Sequence, residues 1–172
     1  MVKELISKYY KSSEFLNLAD SFITDPSLLH ELVDIATSEL PHPFPEYASW
    51  LLIHIAKKAP NLIEPFNEKI IDSILISTNQ SVLRNLMNTS VSLQLTEYKE
   101  SDFLDKTIQF ISTDSYKVAL FVYSIYKLIQ FTHKYPEIKP EILGIIDLKR
   151  DNEMKPAMKI GIRNYLKETK NS

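Results

Sequence analysis

The sequence predicts an all-α protein, a short right-handed stack of about four helical hairpins, and three observations carry that expectation. Gly occurs only twice in 172 residues. Strand-rich folds need far more of it for their positive-φ turns. Apolar residues recur at three- and four-residue spacing along nearly the whole chain, and no stretch alternates strictly enough for a strand. The segment LISTNQSV at 75–82 returns as FISTDSYKV at 110–118.

The helices follow in order. Two short ones are expected near 2–10 and 13–23, as an N-terminal cap over residues 1–25. After Asp25-Pro26, the run SLLHELVDIATSEL places Leu28, Leu29, Leu32, Val33 and Ile35-Ala36 on one face, with Ser27 and Glu31 as start signals. Next come EYASWLLIHIAKKA, LIEPFNEKIIDSIL and SVLRNLMNTSVSL. Beyond a polar break lie SDFLDKTIQFI, YKVALFVYSIYKLIQFTHKY, EIKPEILGIIDL and KPAMKIGIRNYLKET. Pro supplies the punctuation: all nine prolines fall where the periodicity pauses.

Composition narrows the function. A formal net charge of −2 describes an ordinary protein surface and argues against a whole-surface nucleic-acid binder. Cys is absent, so there is no disulfide framework, thiolate nucleophile or cysteine metal site. MVKELISKYYK scatters charges through its apolar residues and lacks the apolar core of a signal peptide. The longest apolar run, VALFVYSIYKLIQF, is cut by Lys127 and falls short of a membrane span. These features read as a cytoplasmic protein with no membrane contact. No GxGxxG or GxxxxGK[ST] occurs, so no nucleotide fingerprint is present.

The recurrence at 75–82 and 110–118 sets a repeat. Extending the frame places Ala48, Leu83, Ala119 and Ala157 in equivalent slots, roughly 35 to 38 residues apart. A second echo joins IAKKAPNLIEP at 55–65 to FTHKYPEIKP at 131–140. Each unit then reads as helix, turn, helix and a Pro-marked turn into the next pair. A lone hairpin cannot bury both apolar faces, and stacked copies can. Asn79 and Asp114 in the repeated turn are expected to cap the helices that follow.

At these positions the chain resembles the HEAT/armadillo group of α-solenoids. The resemblance lies in Asn79, Val82 and Arg84 of one unit and Asp114, Lys117 and Val118 of the next, and it is closest over residues 75–135. The repeat is shorter than the usual HEAT length. The likeness implies a single α-solenoid domain over 1–172, with HEAT-like repeats over 26–172. It further implies a concave face lined by the second helix of each pair.

On that face the expected binding residues are Tyr47, Trp50 and His54, then Arg84 and Asn88, then Tyr123 and Lys127. Lys58, Tyr116 and Gln130 extend the stripes. Tyr, Trp and Arg are the usual anchor residues of interfaces. Taken singly, Trp50 and Tyr123 read as core packing; the interface expectation rests on the stripes together. An unidentified protein partner is therefore expected, without catalysis, cofactor or metal. The four histidines show no HExxH spacing, and Glu64, Glu68 and Asp72 read as an exposed helix face.

The last helix carries a basic ridge: Lys155, Lys159, Arg163 and Lys167 at successive i+4 positions. From Lys149 onward seven basic residues face three acidic ones, about +4, leaving about −6 for the remainder. The preferred reading is a solubilising outer face. The alternative is a nucleic-acid-binding protein similar to the DNA alkylation repeat glycosylases, whose activity needs an aromatic and acidic constellation in a basic groove. That constellation finds no residue-by-residue match here.

Overall fold

A computed structural model describes residues 1–150 and 154–172, and among them every regular element is helical. The chain forms two compact units, Met1–Thr96 and Glu97–Ser172. The first holds α1 (Val2–Tyr9), α2 (Asn17–Thr24), α3 (Leu29–Ala36), α4 (Phe44–Lys58), the single turn α5 (Pro60–Ile63), α6 (Asn67–Ile76) and α7 (Gln80–Val91). The second holds α8 (Glu100–Ser112), α9 (Val118–Lys134), α10 (Lys139–Arg150) and α11 (Pro156–Glu168). Three of the expected hairpins are present as α3/α4, α6/α7 and α8/α9, and α10 and α11 fall at the positions expected for the fourth, with residues between them outside the described ones.

Proline shapes the joints in a common way. At Asp25, Ala59 and Tyr135 the backbone leaves the helical region, with φ,ψ of −126°, 90°; −145°, 67°; and −131°, 77°. Each of these residues precedes a Pro, whose ring disfavours the α conformation in the residue before it. Each following Pro then occupies the first turn of a new helical segment, where its missing N–H costs nothing. The sequence echo between 55–65 and 131–140 is therefore an echo of backbone geometry. The expected 62–75 helix is split in another way: Glu64, ahead of Pro65, keeps α-region angles (φ −46°, ψ −42°), and Glu64–Phe66 forms a 3-10 turn ahead of α6.

The repeated Ser-Thr-Asn/Asp turn is half as uniform as the sequence suggests. Asn79 caps α7, accepting from the backbone N–H of Ser81 at 3.0 Å and of Val82 at 3.3 Å. Asp114 does not cap α9. The cap position is Lys117, with no side-chain hydrogen bond, and the Asp114 carboxylate pairs instead with Lys149. The sequence explains the difference: Gln80 opens α7 directly after Asn79, whereas α9 begins at Val118, too far on for Asp114 to reach its first N–H groups. The aligned slots likewise share a helix without sharing a register. Ala48 and Leu83 are buried, Ala119 is half-buried and Ala157 is exposed.

Each unit has an apolar centre. In the first, Leu32, Ala36, Leu51, Leu52, Ile55, Ile70, Ile74 and Leu86 are buried, and α4 packs against α2, α3 and α7. In the second, α9 lies between α8 and α11, burying Phe103, Phe110, Ile125, Leu128 and Phe131.

Candidate functional site

The helical spacing of Tyr47, Trp50 and His54 puts all three on one side of α4, and α7 packs beside it. Between the two helices lies a recess of about 370 Å³, lined by His42, Glu46, Tyr47, Trp50, Ser81, Arg84 and Asn85.

Its aromatic wall is built from two parts of the first unit. Trp50 stacks on Phe15, with ring centroids 5.5 Å apart and 21° between planes. Tyr47 meets Phe15 edge-on at 5.1 Å and Tyr10 at 5.4 Å. Trp50 continues to Tyr47 at 5.9 Å and to His54 at 6.0 Å. Such offset and edge-to-face contacts hold rings in place beyond simple area burial. Phe15 is buried beneath, while Trp50 keeps 36% of its surface in solvent. The N-terminal segment thus backs the tryptophan. Nothing in the spacing of Tyr10 and Phe15 pairs them with α4, since that contact is tertiary.

The polar frame centres on Asn85, which is 2% exposed. Its amide donates to the Glu46 backbone carbonyl and to Ser49 Oγ, both at 3.0 Å, and its oxygen accepts from Arg84 Nε at 3.1 Å. Asn85 therefore ties α7 to α4 and orients the guanidinium. Asn85 was not among the residues expected to bind. The available signal was a polar residue among Val82, Leu86 and Thr89, on the buried side of α7. Asn79 adds a second tie, donating to Glu46 Oε1 at 2.8 Å, and His42 Nδ1 stands 3.5 Å from Glu46 Oε2. Burial, with help from Lys57 and Lys58, holds the His54 pKa below the usual histidine value.

The other expected binding residues take different places. Asn88 is buried in α7, and Lys127 is 1% exposed in α9. Lys127 donates to Gln130 Oε1 at 2.8 Å and lies over the Phe103 ring. These two placements correct the expectation of open binding stripes on both helices. The physical reason in α9 is its position between α8 and α11, which leaves little of its circumference for solvent. Tyr123 is half-buried there. Lys155, Lys159, Arg163 and Lys167 of α11 all face solvent. Ile160 and Leu166 are exposed beside them.

The acidic trio does not share one helix face. Glu64 sits in the 3-10 turn and accepts from the Gln94 backbone N–H at 2.8 Å, while Glu68 and Asp72 belong to α6. Among the described residues no group of three His, Asp or Glu side chains is arranged to hold a metal ion. No described helix is long and apolar enough to cross a membrane.

A family model described as the HEAT repeat domain matches residues 4–169. No curated protein and no solved structure matches the chain.

Proposed function

This chain belongs to the HEAT repeat domain family, and on that premise we propose that it is a non-catalytic docking module binding a protein partner through the α4–α7 face of its first unit. HEAT repeats commonly serve as interaction scaffolds, and the reading narrows that habit to one face. The observation that carries it is Trp50, partly exposed yet stacked on buried Phe15, at the edge of a recess that also presents Arg84. A large ring held rigid before binding offers contact area with little further loss of rotamer entropy. Trp, Tyr and Arg in one recess are the residue types that dominate interface energetics. The reading takes the cytoplasm as the setting, with which a chain without Cys is compatible.

Affinity capture from the source cell's lysate, with and without nuclease, tests the proposal when wild type is compared with Trp50→Ala. A discrete protein should survive nuclease and be lost with Trp50→Ala, provided far-UV circular dichroism shows wild-type helicity. Retention by a folded Trp50→Ala chain would sink the assignment.

A second reading rests on α11. Four exposed cations along one helix could track a phosphate backbone, and nucleic acid would then be the ligand. Four phosphate contacts imply a log–log salt slope of about −3.6. Reversing charge at Lys159 and Arg163 would abolish such binding and spare docking at Trp50.

A further inference from the structure

We propose that the α4–α7 recess takes the side-chain carboxylate of an Asp or Glu on an extended segment of the partner, with a neighbouring apolar side chain of that segment laid on Trp50. The inference deepens the docking reading and rests on it.

Arg84 is the starting point. Its Nε–H is committed to Asn85, and Asn85 is fixed by Ser49 and Glu46, so the plane of the guanidinium is set before any ligand arrives. A guanidinium carries five N–H donors. No carboxylate among the described residues lies within ion-pair distance of Arg84, although Glu46 lines the same recess. An uncharged partner closing over this group would strip its water and return little. A carboxylate would meet the remaining donors in a bidentate, charge-assisted pair, the strongest hydrogen-bonding geometry available to a protein.

Glu46 decides which anion fits. One of its oxygens takes the Asn79 amide, and the other faces His42 at 3.5 Å. The recess therefore already holds one negative group against a single fixed arginine. A monoanionic carboxylate adds a single charge beside Glu46 and can still take the guanidinium donors that Asn85 leaves open. A phosphate approaching a double negative charge fits less well, because its second charge meets Glu46 rather than another cation.

The walls define the rest of the ligand. Trp50 supplies a partly exposed aromatic surface, and the Ser81 hydroxyl lines the opposite helix. About 370 Å³ is at the lower end of ligand-sized pockets, enough for one acidic side chain and an adjacent apolar one. A helix would be too wide to enter it, so an extended segment is the form that fits.

Trp50 is the sole tryptophan of the chain, so its fluorescence reports on this recess alone. Random 12-residue peptides without Trp, displayed on phage, are selected on the full chain. The enriched segments are then synthesised in Glu, Gln, Lys and phosphoserine versions and titrated against Trp50 emission. The expected result is enrichment of an acidic residue beside an apolar one, with the Gln version at least about tenfold weaker. Arg84→Gln should erase the Glu-over-Gln preference, and Arg84→Lys should keep a reduced one. The comparison of Glu with Gln peptides needs only wild-type protein, so it stands even where Arg84→Gln folds poorly.

Equal binding of Gln or Lys versions would overturn the inference while leaving a Trp50-dependent docking site in place. A tenfold preference for phosphoserine over Glu would overturn it in favour of a phosphopeptide site. Failure to enrich any segment that moves Trp50 emission would overturn both this inference and the docking reading.

Discussion

The two units use the second helices of their hairpins in opposite ways. In Met1–Thr96, α4 and α7 leave a rim of Tyr47, Trp50 and Arg84 open around a buried Asn85. In Glu97–Ser172, α9 and α11 close on each other: Thr132 Oγ1 and the Tyr165 hydroxyl lie 2.8 Å apart and both residues are fully buried. The difference comes from composition around the helix. α4 carries an apolar stripe of Leu51, Leu52 and Ile55 and a mixed aromatic side, whereas α9 is apolar around most of its circumference. Position within a hairpin does not by itself make a binding surface; one-sided patterning does.

The largest expected effect breaks the closed region. Tyr165→Ala should cost about 3–5 kcal/mol, the usual loss for emptying a buried aromatic site. Tyr165→Phe keeps the volume and strands the Thr132 hydroxyl, so it should cost about 1–3 kcal/mol. Trp50→Ala, removing a ring already partly in water, should cost less than Tyr165→Ala. Denaturant unfolding followed by far-UV circular dichroism gives all three. If Trp50→Ala proved the more damaging of the two alanine variants, the contrast between an open and a closed pair would be wrong.

How much of this contrast was legible beforehand depends on the residue. The all-helical repeat was readable, because scarce Gly, Pro at the joints and the returning turn are local signals that agree with one another. Tyr47, Trp50 and His54 were readable as one stripe and Arg84 and Asn88 as another, each from spacing along its own helix, but their meeting at one recess was not. Phe15 was not, since its stacking on Trp50 joins distant segments. Asn85 looked like any helix polar residue until its partners on α4 were in place. Lys127 misled: a lysine inside a helix suggests solvent, yet its long stem is buried and its ammonium group is met by Gln130 and the Phe103 ring. Asp114 misled through a turn longer than the one after Asn79.

That last pair gives a smaller effect, which separates the two turns. Asn79→Ala removes a cap and the tie to Glu46, and should cost about 1 kcal/mol. Asp114→Ala removes an ion pair whose carboxylate is largely in water, and should cost less. Thermal melts of the two variants rank them. A greater loss at Asp114 would mean that the repeated turn is held by the ion pair and not by the cap.

The smallest effects distinguish the units by pH. His54 has its pKa held below the ordinary 6.5, by burial first and then by Lys57 and Lys58. The unfolded chain therefore binds a proton at higher pH than the folded one does. Stability attributable to His54 is present above about pH 6.5 and falls as pH drops below it toward the folded-state value. Tyr165 runs the other way. Burial raises its pKa above the ordinary 10.0, against the smaller opposing effects of Thr132 and Thr169. Its contribution is fully present below pH 10 and is lost as pH rises through the folded-state value. His54→Gln should flatten the melting temperature between pH 7.5 and 5.5 relative to wild type. Because His54 is partly exposed, the shift is small. Should His54→Gln lose more stability than wild type on acidification, the imidazole would be gaining a partner when protonated, and the open face of α4 would be electrostatically different from the one described.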